Sequence, residues 1–369
     1  MGPTLSLWER DSDSVQTAQL GEPSVIPVKG YAAFDAETPL KPWSFERREP
    51  DPGEVLIDIR WCGVCHSDVH LVKNDLGNTR YPLVPGHEIV GTVAKVGEGV
   101  TRFRPGDRVG VGCMVDSCRH CGECAEGLEQ YCDHMVPTYG GTDKHDQPTQ
   151  GGYSTKITVD QDFVLTIPAA IPLEKAAPLL CAGITTWSPL KRWKAGRGTR
   201  VAVIGLGGLG HMAVQLAVAL GCEVTVISTS DRKKADAQRF GAHDFLISKD
   251  RDAMRAARGR FDLILNTVSA THEIGQHVGL LARDGTMVML GLTTEALHVN
   301  ALPLIARRRS VAGSLIGGIR ETQEMLDFCA EHGIAAEVET IRPEGINQAY
   351  ERMLKSDVRY RFVIDLSAM

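Results

Sequence analysis

The stretch from Val201 to Gly210 constrains the fold of this chain more than any other. Val201-Ala202-Val203-Ile204 is a continuous apolar run of strand length, and Gly205-Leu206-Gly207-Gly208-Leu209-Gly210 follows it directly. Helical spacing then begins, with Met212, Leu216 and Leu220 on one face and Gly221 as a stop. A strand apolar on both faces must be covered on both, which calls for a parallel sheet between two layers of helices. Similar runs recur at Glu223-Val224-Thr225-Val226-Ile227, Phe261-Asp262-Leu263-Ile264-Leu265 and Thr286-Met287-Val288-Met289-Leu290. The expectation is a doubly wound α/β domain.

In that context the G-x-G-x-x-G run predicts a dinucleotide site. Gly205 permits the tight turn, Gly207 lets the backbone approach a pyrophosphate, and Gly210 lets helix and strand pack closely. Gly208 and Leu209 complete the turn, and the helix start offers free N–H groups to phosphate. The end of the next strand selects the cofactor. A carboxylate there would bind a ribose 2′-hydroxyl; instead the chain has Ser228-Thr229-Ser230, then Asp231, Arg232, Lys233 and Lys234. Hydroxyls backed by cations suit a 2′-phosphate, so NADPH is expected, with Ser228, Thr229 and Lys233 as its contacts. Asp231, three positions past Ser228, argues the other way.

The preceding half has a different rhythm. Short β-type runs separated by Gly and Pro extend from about Ile26 to Val164, which predicts a β-rich domain. Thr138 to Gly152 is polar and Gly-rich and reads as a long surface loop. A helix at Thr322–Glu331 and a strand at Arg359–Leu366 are expected to return to the β-rich half. The 369 residues thus divide into an extension (1–25) read as disordered, a β-rich domain (26–181 with 320–369) and a dinucleotide domain (182–319).

Net charge is −6, and Arg307-Arg308-Arg309 is the one basic cluster, so a nucleic-acid footprint is not expected. No apolar run reaches the roughly 18 residues of a membrane span, and the N-terminus lacks the apolar core of a secretory signal. A cytoplasmic location follows. The ten cysteines then point to metal or catalytic use rather than disulfides.

Four of them, Cys118, Cys121, Cys124 and Cys132, follow the pattern C-x2-C-x2-C-x7-C. Four thiolates on so short a tether can close a tetrahedral shell around one Zn²⁺. A closed shell has no position for substrate, so a structural role is expected. Cys65, His87 and Cys181 are potential ligands too widely spaced to be grouped by pattern.

The motifs together carry a resemblance. Gly63-Val64-Cys65-His66-Ser67-Asp68, Gly86-His87-Glu88, the four-cysteine run, Pro178-Leu179-Leu180-Cys181-Ala182-Gly183, the glycine-rich turn and Asp357-Val358-Arg359-Tyr360-Arg361-Phe362-Val363 stand in the order of zinc-dependent medium-chain alcohol dehydrogenases. The chain resembles in particular the cinnamyl alcohol dehydrogenase group and bacterial broad-range aldehyde reductases, from about Ile26 to Leu366. The resemblance implies a GroES-like catalytic domain, a Rossmann coenzyme domain and a homodimer. It implies two zinc ions per chain, with the catalytic one on Cys65, His87 and Cys181 and with Glu88 as a transient ligand. Asp68 would orient His87 from behind. Ser67 would bond the substrate oxygen, and His70 would end a proton relay to solvent. Thr185, Val268, Leu290 and Ser314 would line the nicotinamide.

The activity implied is reversible, NADPH-linked reduction of aldehydes to primary alcohols. A polyol or sugar dehydrogenase of the same superfamily is the alternative, ahead of a non-enzymatic zinc module or a catalytically silent relative. Cys62, Cys113, Cys222 and Cys329 are read as small buried apolar residues. Trp187 is placed either beside the nicotinamide or in the core.

Overall fold

The computed structural model describes residues 25–293, 295–367 and 369. The expected N-terminal extension lies outside them except for Val25, which opens the first strand, Val25–Ala32. Among the described residues, two large sheets organise the molecule.

The second half carries six parallel strands in the order Asp244–Ile247, Glu223–Ser228, Arg200–Ile204, Phe261–Asn266, Leu281–Met289, Ser310–Gly313. Arg200–Ile204 pairs with Glu223–Ser228 on one side and Phe261–Asn266 on the other. Strand order reverses at that point, and the crevice beyond the strand ends there is where nucleotides bind in such sheets. Val201, Ala202, Val203, Val224 and Val226 have no exposure, as strands covered on both faces require.

The first half is mainly antiparallel. Glu54–Gly63 is its central strand, flanked by Ile89–Val96 and Lys156–Asp160 along its length and by the C-terminal strand Arg361–Asp365 at its end. Arg361–Asp365 returns from the far end of the chain, and Val338–Ile341 pairs parallel to it. The expected helix near Thr322 spans Ile319–His332, so the expected boundary at 319/320 falls at its first turn.

The halves share a core. One apolar cluster runs from Val90, Leu165 and Leu180 through Ile184 and Leu190 to Val203, Leu265, Met325 and Tyr360. Each such side chain contributes about 1.5–3 kcal/mol by leaving water, so the helix Ala182–Arg192, buried along most of its length, acts as an apolar key between the two sheets. Trp187, 4.8 Å from the Phe328 ring and buried, belongs to this core.

The segment Thr138–Gly152 corrects the reading of it as surface. It is irregular, but Thr138, Tyr139, Thr149, Gly151 and Gly152 are buried. Gly140 and most of the middle, from Thr142 to Pro148, are exposed.

Candidate active site

Backbone pairing assembles the site. Cys62 lies opposite Ile89, and the Gly63 N–H donates to the Glu88 carbonyl at 3.0 Å. That register brings Cys65, just past one strand, beside His87 and Glu88, just before the other. Cys181 arrives from the start of helix Ala182–Arg192. The four side chains are buried, and one ligand atom from each lies within 4.8 Å of all the others. The Cys65 and Cys181 sulfurs are 3.9 Å apart.

Asp68 organises this cluster from behind. It is fully buried and accepts from the Cys65 N–H at 2.8 Å, the Gly86 N–H at 3.1 Å and the Tyr153 hydroxyl at 3.1 Å. Its Oδ1 also faces His87 Nδ1 at 3.2 Å. A carboxylate on Nδ1 turns Nε2 forward as the donor. The bond to Cys65 also closes the capping of helix His66–Val72, so one residue starts the helix and aims the imidazole.

Glu88 is held by an ion pair with the buried Arg361 guanidinium. Its Oε2 is buried without a hydrogen-bond partner among the described residues. A side chain at Gly63 would collide with that carboxylate, so glycine there makes its room. The bond from the Cys181 thiol, with Arg361 and His87 nearby, holds Cys65 well below the usual thiol range. Bonds from Cys113 and Cys65, with burial, push Cys181 up. Burial opposes a charged His87, but Cys113 and Asp68 outweigh it and raise its pKa. Two sulfurs, an imidazole and an unpartnered carboxylate oxygen form a donor set that fits a divalent zinc ion.

Besides Arg361, Cys113 and Tyr139 escaped the sequence reading of this site. Cys113, expected to be a small buried apolar residue, is only half-buried and lies beside Cys181 and His87. The Tyr139 ring stacks on His87 at 5.7 Å and 15°. Cys62, Cys222 and Cys329 are buried as expected.

Ser67 Oγ lies 3.7 Å from Cys65 Sγ. His70, one turn on, pairs through Nδ1 with Asp75 Oδ2 at 2.7 Å. Its Nε2 is buried and has no partner among the described residues. Asp75 is another residue that sequence reasoning missed; the only signal was an acid five positions after the histidine.

The other cysteines form a separate cluster, with the ligand atoms of Cys118, Cys121, Cys124 and Cys132 also within 4.8 Å of one another. Backbone N–H groups of Cys121, Cys124, Cys118 and His134 point at its sulfurs from 3.3–3.5 Å. A bond from the His120 backbone leads the lowering of the Cys118 thiol to about 6. Thiols ringed by donors suit a structural metal. The lobe reaches helix Ile319–His332, where Glu129 accepts from the Ile319 N–H at 3.1 Å and Arg320 donates to the Glu126 carbonyl at 2.9 Å.

At the nucleotide end, Gly205 has φ +86°. A Cβ at Gly210 would strike the Gly205 carbonyl, and nothing lies within 4 Å of one at Gly207. That is the tight, open cradle a pyrophosphate fits. Gly205, Val268, Leu290 and Ser314 follow closely on successive strands at one edge of the sheet, Thr185 lies one turn past Cys181, and Ser228 and Thr229 sit at the end of the second strand. Lys233 turns inward, donating to the Leu206 carbonyl at 2.7 Å. Asp231 is exposed at the start of the 3-10 turn Asp231–Lys233.

Residues 51–169 match the family model "Alcohol dehydrogenase GroES-like domain", and residues 208–331 match "Zinc-binding dehydrogenase". The chain is 57% identical over 343 residues to NADP-dependent alcohol dehydrogenase C of Mycobacterium tuberculosis, covering 93% of this chain and 99% of that one. The chain belongs to the zinc-binding medium-chain alcohol dehydrogenase family. This dehydrogenase is also 53% identical to aldehyde reductase YahK of Escherichia coli, over 92% of its own length and 98% of the relative's. Its fold superposes on a cinnamyl alcohol dehydrogenase from Helicobacter pylori complexed with NADP(H), with a TM-score of 0.88 at 41% identity over 93% and 99% of the two chains. The GroES-like domain and Rossmann sheet expected of the dehydrogenase are both present.

Proposed function

We propose that this chain is a zinc-dependent, NADPH-linked aldehyde reductase that also runs in reverse as an alcohol dehydrogenase. The net reaction takes an aldehyde, a hydride from NADPH and one proton to a primary alcohol and NADP⁺. The observation that carries this is the buried donor cluster of Cys65, His87, Glu88 and Cys181 set against a glycine-rich nucleotide turn. Relatives named for NADP and for aldehyde reduction support it.

Cys65, His87 and Cys181 would hold the catalytic zinc, with Glu88 as a transient fourth donor. Zinc supplies Lewis acidity toward the carbonyl, and NADPH supplies the hydride. The remaining work falls to the chain. Asp68 fixes the tautomer of His87. Ser67 would donate its hydroxyl proton to the substrate oxygen, and His70, with Asp75 on its Nδ1 and its Nε2 left free among the described residues, would end the relay that replenishes it. Arg361 balances the charge of Glu88. Thr185, Val268, Leu290 and Ser314 seat the nicotinamide, and Ser228, Thr229 and Lys233 take the 2′-phosphate.

A second zinc would cross-link Cys118, Cys121, Cys124 and Cys132. A homodimer is supported by the open edge strand Ser310–Gly313 and by Leu302 and Ile305 beside it, which are 74% and 76% exposed. No helix among the described residues is long and apolar enough to cross a membrane; a cytoplasmic enzyme is proposed. The test is a panel of aliphatic and aromatic aldehydes with NADPH and NADH side by side, with metal counted per chain. Two zincs and NADPH-dependent turnover are expected; preference for NADH, or turnover independent of metal, overturns the proposal.

A further inference from the structure

The C-terminal residues Tyr360 and Arg361 enter the space between the two halves. Arg361 turns to Glu88, and Tyr360 turns the other way, toward the nucleotide domain. Tyr360 is 1% exposed. Its ring stacks on His211 at 5.1 Å and 14°, and the Phe240 ring meets it edge-on at 5.3 Å. Its hydroxyl donates to Asp236 Oδ2 at 2.7 Å. Lys233 Nζ lies 5.3 Å from its ring centre while donating to the Leu206 carbonyl inside the glycine-rich turn.

Lysine is a compact charge on a flexible stem, and fixing it costs side-chain entropy. Here the electron-rich face of a buried ring and a backbone carbonyl meet that cost in advance. The ring is itself buried, packed against His211 and Phe240 and bonded to Asp236. Asp236 is further engaged by Arg239 at 3.2 Å and Arg359 at 3.6 Å, so it does not compete for Lys233 as an ion-pair partner at hydrogen-bond distance.

We infer that Tyr360, contributed by the catalytic half, is a positioning residue for coenzyme choice: its ring seats Lys233 for the 2′-phosphate that distinguishes NADP(H) from NAD(H). The inference rests on the proposed role of Lys233. It makes 2′-phosphate recognition a property of both domains, with the cation on one and its seat on the other.

Binding of 2′,5′-ADP and of 5′-ADP to the full-length zinc-loaded protein, measured by calorimetry, separates the two claims. Neither probe carries nicotinamide, so turnover is not involved. Lys233→Met tests the cation; unchanged affinity for 2′,5′-ADP would remove the premise. Tyr360→Phe keeps the ring and is expected to stay within about twofold of wild type. Tyr360→Leu is expected to weaken 2′,5′-ADP roughly three- to thirtyfold, the range from an exposed to a desolvated cation–π contact, with 5′-ADP unchanged. Pentafluorophenylalanine at position 360 keeps the ring's shape and inverts its quadrupole, and it should weaken 2′,5′-ADP as leucine does even if the leucine variant folds poorly. The inference fails if Lys233→Met weakens 2′,5′-ADP while the fluorinated ring binds it as Tyr360→Phe does. It fails equally if Tyr360→Leu weakens both probes alike.

Discussion

His70 Nδ1 and Asp75 Oδ2 lie 2.7 Å apart, at the end of helix His66–Val72 that begins at Cys65. The pairing fixes which ring nitrogen faces inward. Asp75→Asn removes the carboxylate while keeping the shape, and kcat for aldehyde reduction should fall about tenfold or more, with little change in KM. Steady-state kinetics at saturating NADPH check this, and unchanged kcat would take Asp75 out of the relay.

Cys65→Ser should abolish turnover, by at least about 10³-fold, since it removes one of the proposed charged ligands. The fold should persist, because Asp68 still accepts the backbone N–H of residue 65. Circular dichroism and a metal count should show a folded protein that has lost one zinc.

Cys118→Ser should also cost one zinc, with a different signature. The thermal midpoint should drop by several degrees, whereas kcat per folded molecule should change less than about threefold, because that cluster leaves no position for substrate. Calorimetry together with active-site titration separates the two effects.

Arg361→Met leaves the Glu88 carboxylate buried without its ion-pair partner. Breaking such a pair on one side costs about 3–5 kcal/mol. The double variant Arg361→Met, Glu88→Gln should recover part of that loss in urea unfolding. Full additivity of the two single changes would argue that the pair is energetically silent.

Glu54 provides a pH signature away from the site. Burial alone would push its carboxyl up, but Arg48 and Lys144 overcome that and hold it down to about 2, against an ordinary 4.5. A depressed carboxyl adds stability above its unfolded pKa, and that contribution disappears as pH falls through the folded value. The stability gap between wild type and Glu54→Gln should therefore be constant above about pH 5 and close between about 4.5 and 2.

The nucleotide half was legible because its signals are local. A strand, a glycine turn and a helix occupy the consecutive residues from Arg200 to Ala219. The four-cysteine lobe was legible for the same reason. Cys65, His87 and Cys181 were not, because strand register brings them together; only their resemblance to a known family grouped them. Asp75 lies just past the end of helix His66–Val72 and left a faint trace. Tyr139 left none, and Arg361 stood inside a stretch that carried the resemblance without any role at the site being attached to it. Tyr139 sits in a polar, Gly-rich stretch that reads as solvent-facing until His87 is seen beneath it.

Tyr360 and Arg361 are neighbours in the chain, yet one touches Lys233 and the other Glu88. Their separation is a single peptide unit, about 3.8 Å between Cα atoms. A backbone shift at either position is therefore carried into both pockets. A lineage that exchanges one dinucleotide for the other must do so without disturbing the carboxylate next door, and substitutions at either position should be accompanied by compensating changes at the other end of the cleft.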